Sequence, residues 1–96
     1  MMLVEVSEAA NADLDDVYDH GAEMFGPAAA DAYLRRFQAA YALIAEHPHA
    51  GPEHATVRPP IRSISCGSHR VYYDVLPDRI VVRRVLHKRA DVENHL

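Results

Sequence analysis

The chain has 96 residues, of which 49% are hydrophobic and 25% are charged, and its formal net charge is −4 at pH 7. This length and composition predict one globular domain over residues 1–96 and exclude both intrinsic disorder and two independent cores. No apolar stretch is long enough to cross a bilayer, the first eight residues do not resemble a signal peptide, and Cys66 is the only cysteine. We therefore expect a cytoplasmic protein without disulfides, cofactors or membrane contact.

The charge is divided unevenly along the chain. Residues 1–57 contain ten acidic residues and two arginines, whereas residues 58–96 contain four acidic and eight basic residues. The two parts therefore carry −8 and +4, which together give the net charge of −4. This asymmetry predicts either two surfaces for different partners or electrostatic attraction between the two halves of the fold.

The N-terminal half predicts a strand and a helical hairpin. Leu3–Val6 alternates weakly and indicates a short strand. Ser7 occupies an N-cap position, and apolar residues at three- and four-residue spacing follow it, which predicts a first helix. Gly26 and Pro27 then separate this helix from a second amphipathic helix, which extends to about Glu46. The short break predicts that the two helices are antiparallel.

The C-terminal half predicts an antiparallel meander. Residues 48–60 contain four prolines and indicate an irregular loop. Strands are predicted at Ile61–Cys66, His69–Leu76 and Arg79–Leu86, with short turns between them. The predicted fold class is α+β in the order β-α-α-β-β-β, with the helical hairpin packed on a small antiparallel sheet that the first strand joins. The tail Lys88–Leu96 could form a short helix.

Several side chains of the C-terminal half could carry chemistry. Its arginines suit phosphate, carboxylate or an acidic protein segment, and they suit a solvated sheet surface equally well. His87, Asp91 and His95 would share one face of a helical tail, but a fourth ligand is not indicated, so we expect no metal site. Cys66 and His69 lie around a turn without an obvious third group, which favours a structural cysteine.

Three segments of the C-terminal half carry a resemblance to a known family. They are Ile61-Arg62-Ser63-Ile64, Arg70-Val71-Tyr72-Tyr73 and the run from Arg84 to Asp91. With the N-terminal strand and helix, and with a second helix that ends into Pro48 and Gly51, they resemble the RelE/ParE toxin superfamily. The resemblance covers nearly the whole chain, and it is closer to ParE toxins of type II toxin–antitoxin systems. It implies a strand, a helical hairpin and a three-stranded antiparallel continuation.

The resemblance also implies a function and two kinds of partner. It implies a toxin that stalls DNA gyrase without performing chemistry and that a ParD-like antitoxin neutralises in a hetero-oligomer, with no sequence-specific binding of nucleic acid. Target binding is expected in the basic C-terminal region, and antitoxin binding is expected on the apolar residues of the hairpin. The target-binding candidates are Arg70, Arg84, His87, Lys88 and Arg89, and the antitoxin-binding candidates are Leu14, Tyr18, Tyr33 and Phe37.

The alternative function is that of RelE-like relatives, which cleave mRNA on the ribosome. Arg62, Arg70 and Arg84 could stabilise the charge of the transition state, and His87 could act as the base. However, the tail has no tyrosine, the second helix has no lysine, and the net charge is negative. A nuclease of this kind is helped by positive charge, because phosphate contacts dominate affinity for nucleic acid. Gyrase inhibition is therefore favoured, and a binding module without toxic activity is a third possibility.

Overall fold

In the computed structural model, which describes residues 1–96, two helices cover one face of a five-stranded sheet. We call this covered face the front and the opposite face the back. The elements in chain order are β1 (Leu3–Val6), α1 (Glu8–Phe25), α2 (Pro27–Glu46), β2 (Glu53–His54), β3 (Ile61–Cys66), β4 (His69–Val75), β5 (Arg79–His87) and a single 3-10 turn at Val92–Asn94. The predicted α+β class is confirmed, as is the order of the two helices and four longer strands. Neither helix has the apolar length that a membrane span requires.

The sheet is mixed, with the strand order β1-β5-β4-β3-β2. β3, β4 and β5 form the predicted antiparallel meander. β1 instead pairs in parallel with β5, so that Leu3 lies opposite Arg79 and Val6 lies opposite Val82. The predicted loop before β3 also contains β2, a two-residue strand that pairs with β3. β5 is therefore an inner strand that joins the N-terminal strand to the meander.

The main core lies between the helices and the front of the sheet. Its largest fully buried side chains come from α2 and from alternate positions of β4 and β5, and they are Tyr73, Phe37, Ile44, Ile80, Val71 and Val82. Because side chains alternate along a strand, the neighbouring Tyr72 points to the back. There it forms a smaller cluster with Ile61 and Leu86, against which Val57 and two residues of the tail pack.

β5 contains a bulge that is held against the start of α1. The β4–β5 register shifts between Tyr72 and Tyr73, which leaves Arg83 as an extra residue on β5. The hydroxyl of Ser7 donates a hydrogen bond of 2.9 Å to the Arg83 carbonyl, and the Ser7 N–H donates one of 3.0 Å to the Val82 carbonyl. The same hydroxyl caps α1 by accepting a backbone N–H. The helix start and the bulge are thus fixed together.

The C-terminal tail is not an α-helix. Only Val92–Asn94 is helical, as a 3-10 turn with Asp91 as its cap, while His87 belongs to β5. His87, Asp91 and His95 therefore do not share a helical face, which removes the geometry on which a metal site at these residues depended. No group of three or more His, Cys, Asp or Glu side chains is arranged to hold a metal ion.

Candidate protein-binding surfaces

A groove of about 610 Å³ runs between α1 and α2. We call it the hairpin groove. Its apolar wall is formed by half-buried side chains of both helices, and its rim is polar and acidic; the wall residues are Leu14, Tyr18, Leu34 and Tyr41, and the rim residues are Asn11, Asp15, Asp19 and Gln38. A groove of this kind suits a partner segment with apolar anchors and basic flanking residues.

The four predicted antitoxin contacts lie in three different environments. Leu14 and Tyr18 line the hairpin groove. Phe37 lies at the base of this groove but is only 1% exposed, because it belongs to the apolar stripe of α2 that faces the sheet. Phe37 is therefore not one of the exposed candidates for an antitoxin contact. Tyr33 lies outside the groove, on the opposite flank of the hairpin, where its hydroxyl is bound to the β3–β4 turn.

A second cleft, of about 480 Å³, opens on the other flank of α1. It lies between the C-terminal half of α1, the start of α2 and the β3–β4 turn, and we call it the histidine cleft. Its apolar lining is formed by Val17, Gly21, Phe25, Ala29 and Ala30, and its polar lining is formed by Asp16, His20, Tyr33, Ser68, His69 and His87. The sequence pattern does not indicate that these residues lie together, because they come from four separate segments of the chain.

Tyr33 fixes the β3–β4 turn at the edge of the histidine cleft. Its hydroxyl donates to the Cys66 carbonyl at 3.1 Å, accepts the Ser68 N–H at 2.9 Å, and lies 2.8 Å from Nδ1 of His69. Gly67 has φ +58 in this turn, and a Cβ added there would lie 2.5 Å from the Tyr33 ring. The turn therefore requires glycine both for its backbone conformation and for space.

The hydrogen bonds around His69 and His87 hold both rings in place. Nδ1 of His69 lies 2.8 Å from the Tyr33 hydroxyl, which also contacts the Cys66 carbonyl at 3.1 Å. Nδ1 of His87 accepts the Arg89 N–H at 3.1 Å, so the proton of neutral His87 lies on Nε2. The two ring centroids are 5.4 Å apart. The cleft therefore presents the Nε2–H donor of His87 beside the ring of His69.

The environment of His69 and Cys66 does not favour a nucleophilic pair. Burial lowers the pKa of His69, and the nearby His87 lowers it further. Burial also raises the pKa of the Cys66 thiol, which disfavours the thiolate that such a pair needs. Since Nδ1 of His69 is also occupied by Tyr33, Cys66 has a structural role in the core.

Arg84 is engaged inside the fold. Its Nε and Nη2 atoms each donate to Asp13 at 2.8 Å, and its Nη1 donates to the His95 carbonyl at 2.9 Å. Asp13 also accepts the Val85 N–H at 2.9 Å. Hydrogen bonding to Asp13 raises the pKa of Arg84. The guanidinium thus joins α1, β5 and the tail, so that Arg84 is not a free cation at the surface.

The other basic candidates do not form one patch. Arg70 lies opposite Leu86 in the sheet and shares its back face, whereas His87 lies opposite His69 and lines the histidine cleft at the front. Lys88 and Arg89 are both exposed just after β5. Strand alternation therefore divides the predicted target-binding region between two faces of the protein.

The residues expected for an RNA-cleaving centre also lie apart. Arg62 donates from Nη1 to the Gly51 carbonyl at 2.7 Å and from Nη2 to Glu53 at 3.2 Å. It lies opposite Tyr73, four residues along β4 from His69, which corresponds to about 13 Å along the strand. Because Arg84 is bound to Asp13 and Arg70 lies on the back, the four candidates Arg62, Arg70, Arg84 and His87 do not converge.

Asp13 is one of six acidic residues of α1 and is not among the candidates predicted from the sequence. Its position carried a signal, because Asp13 lies three residues after Ala10 and four before Val17, on the apolar side of α1. A carboxylate at such a position requires a buried partner, and the structure supplies Arg84.

Comparison with known proteins agrees with this architecture. A family model described as the ParE toxin of the type II toxin–antitoxin system parDE matches residues 4–92. Toxin ParE1 of Caulobacter vibrioides is 37% identical over 91 residues, and toxin ParE1 of Mycobacterium tuberculosis is 37% identical over 92 residues; each match covers 95% of this chain and 94% of the relative. A solved structure of the chromosomal ParDE system from P. aeruginosa matches the fold with a TM-score of 0.78 at 21% identity, covering 91% of this chain and 96% of that one. The chain therefore belongs to the ParE toxin family of type II toxin–antitoxin systems.

Proposed function

We propose that this ParE toxin inhibits DNA gyrase by binding it and that a ParD-like antitoxin neutralises the toxin. The observation that carries the proposal is the engagement of the Arg84 guanidinium by the Asp13 carboxylate and the His95 carbonyl. An RNA-cleaving toxin needs free cations around the reacting phosphate. An inhibitor that acts through a protein–protein contact needs none, and the occupied Arg84 and Arg62 are consistent with that mode of action.

The charge distribution supports a protein target. α1 contains six acidic residues and no lysine or arginine, and only Asp13 among them is paired with an arginine. The net charge of the whole chain is −4. A helix of this charge at the surface repels the phosphate backbone, which weakens binding to RNA but does not weaken binding to a protein with basic side chains.

The hairpin groove supports an antitoxin segment that docks between α1 and α2. Its wall offers Leu14, Tyr18 and Leu34 as apolar contacts. The hydroxyl of Tyr41 is buried in the free chain without a hydrogen-bond partner, and burial raises the pKa of Tyr41 to about 12. A polar group of an antitoxin that reaches this hydroxyl would remove the cost of leaving it unpaired.

The gyrase proposal is tested with purified, refolded toxin, DNA gyrase, ATP and relaxed plasmid, with supercoiling and linear cleaved DNA followed on gels. We expect inhibition of supercoiling with accumulation of cleaved DNA, and we expect the cognate antitoxin to reverse both effects. Toxin that is folded and toxic in cells but has no effect on gyrase would contradict the proposal. The next assay would then be mRNA cleavage on translating ribosomes, with Arg70 and His87 as the residues to substitute.

The antitoxin proposal is tested by the affinity of the toxin for its cognate antitoxin. Tyr18→Ala removes a wall residue of the hairpin groove, and we expect it to weaken binding by about ten-fold or more, as truncation of a buried aromatic contact does. Arg35→Ala is the matched control, because Arg35 is exposed on α2 and does not line the groove. An unchanged affinity for Tyr18→Ala would exclude the groove as the docking surface.

A further inference from the structure

We infer that the histidine cleft is the surface through which the toxin engages its target protein. The segment of the target that it accepts combines an apolar side chain, an amide group and a neighbouring lysine or arginine. This inference rests on the proposed function in so far as the target is a protein, and it adds the site and the chemistry of recognition.

The apolar part of the cleft is open and unpartnered. Phe25, at the tip of the hairpin, lines the cleft and is 74% exposed, and Met24 beside it is 60% exposed. Because Gly21 has no side chain and that of Ala29 is small, the cleft has room for a side chain from outside. A largely apolar cleft of about 480 Å³ with a few polar groups has the character of a binding site, and exposed large apolar side chains mark contact surfaces.

The polar part of the cleft matches an amide. Nε2–H of His87 donates a hydrogen bond, and its ring lines the cleft beside that of His69. The carbonyl group of a peptide amide, or of an asparagine or glutamine side chain, accepts this bond without adding charge. A carboxylate or phosphate also accepts it but would meet the negative charge of Asp16 at the same cleft. An ammonium group has no acceptor for it.

The negative charge at the histidine cleft favours a target segment with a lysine or arginine next to the amide. Asp16 lines the cleft and is exposed, and no arginine or lysine of the chain is bound to it. The other four carboxylates of α1, apart from Asp13, also lack such a partner. A lysine or arginine of the target, placed next to the apolar anchor, would complement this charge and accelerate association.

The cleft is separate from the hairpin groove, which allows the two surfaces to be tested independently. Asp15 lines the groove and Asp16 lines the cleft, although the two residues are adjacent in α1. Successive residues of a helix point about 100° apart, so α1 presents a different flank to each surface. Unchanged affinity for the antitoxin can therefore show that a variant with a substitution in the cleft is correctly folded.

The first test is Asp16→Arg in the full chain, with growth arrest on induction, gyrase inhibition and antitoxin affinity as readouts. We expect growth arrest to require about ten-fold more toxin, the potency against gyrase to fall equally, and antitoxin affinity to stay within about two-fold. Glu46→Arg is the matched control, because it makes the same charge change on an exposed residue outside both surfaces. Unchanged growth arrest with Asp16→Arg would overturn the inference, as would an equal loss with Glu46→Arg.

The second test fills the cleft without changing charge. Ala29→Gln places a larger side chain in the lining, whereas Ala28→Gln makes the same change at the preceding exposed residue, which does not line the cleft. We expect Ala29→Gln alone to reduce growth arrest, with equal thermal stability for both variants; equal toxicity of the two would overturn the inference. If wild-type toxin arrests growth without inhibiting gyrase, the gyrase proposal fails, while the comparison of the two variants still decides the role of the cleft.

Discussion

Asp13 and Arg84 form a bidentate ion pair across the interface of α1 and β5, with both N···O distances at 2.8 Å. The same carboxylate accepts the backbone N–H of Val85, just beyond the bulge at Arg83. Both side chains are largely buried, at 14% exposed for Asp13 and 24% for Arg84. The pair therefore fixes the position of the helix on the irregular part of the strand, where the regular ladder of hydrogen bonds is interrupted.

Loss of this carboxylate is expected to destabilise the fold. Asp13→Asn keeps the size of the side chain but removes its charge, which leaves Arg84 without a counterion and weakens the bond to Val85. We expect the free energy of unfolding in urea to fall by about 2 kcal/mol. Glu5→Gln is the control, because the Glu5–Arg79 pair is exposed and its loss is expected to have no measurable effect. Equal effects of the two substitutions would contradict a special role for Asp13.

Removal of two buried tyrosine hydroxyls is expected to change the free energy of unfolding differently. The Tyr73 hydroxyl accepts the Gly51 N–H at 3.0 Å and donates to the Pro48 carbonyl at 2.8 Å, so Tyr73→Phe leaves a buried N–H unpaired and should cost about 1–3 kcal/mol. The Tyr41 hydroxyl has no partner in the free chain, so Tyr41→Phe should be neutral or stabilising. Urea unfolding of both variants checks this prediction, and a destabilised Tyr41→Phe variant would contradict it.

Two glycines with positive φ are expected to differ in their tolerance of alanine. A Cβ at Gly67 would collide with the ring of Tyr33, whereas a Cβ at Gly26, with φ +91, would meet no atom within 4 Å. Both substitutions strain the backbone by about 1–3 kcal/mol, but only Gly67→Ala also displaces a side chain. We therefore expect a lower melting temperature for Gly67→Ala than for Gly26→Ala. The reverse order would show that the β3–β4 turn can move away from Tyr33.

Stability is expected to decrease as the pH falls through 6.5, the ordinary pKa of histidine. Burial lowers the pKa of His69 most, and the nearby His87 lowers it further. Asp13 opposes this shift, and His20 adds the smallest lowering. Because the folded chain has the lower pKa, the unfolded chain binds more protons in this window, and acid favours unfolding. The contribution of His69 is complete above pH 6.5 and is lost below it.

Denaturant unfolding across this pH range tests the assignment to His69. His69→Gln is expected to reduce the loss of stability in acid, whereas His49→Gln, an exposed loop substitution, should leave it unchanged. If the stability of His69→Gln depends on pH as strongly as that of the wild type, other groups cause the loss of stability in acid.

Local sequence patterns were sufficient to predict most elements of the fold. The cap at Ser7, the break at Gly26-Pro27 and the alternation along the meander predicted the two helices and the four longer strands. These features depend on neighbouring residues, which a sequence displays directly. The parallel pairing of Leu3 with Arg79 could not be predicted in this way, because alternation identifies a strand but does not identify its partner.

The candidate sites were harder to predict for the same reason. Charge alone suggested Arg84 as a target contact, yet its role depends on Asp13, which lies 71 residues earlier in the chain. Tyr33 was expected to face an antitoxin, but it contacts a turn 33 to 36 residues away. The hydroxyl and the imidazole meet only after the hairpin has packed on the sheet, and no local pattern indicates that contact.

The inner position of β5 has a consequence for synthesis of the toxin. A ribosome that has translated residues 1–78 has produced both helices and every other strand, but β1 and β4 still lack the strand that lies between them. Asp13 also lacks its partner Arg84 until β5 has been synthesised. Since pairing across such a separation must follow closure of a long loop, the nascent chain cannot complete its core ahead of β5. The toxin therefore completes its folded surfaces only after its last long strand has been synthesised, so a chain truncated before β5 lacks them.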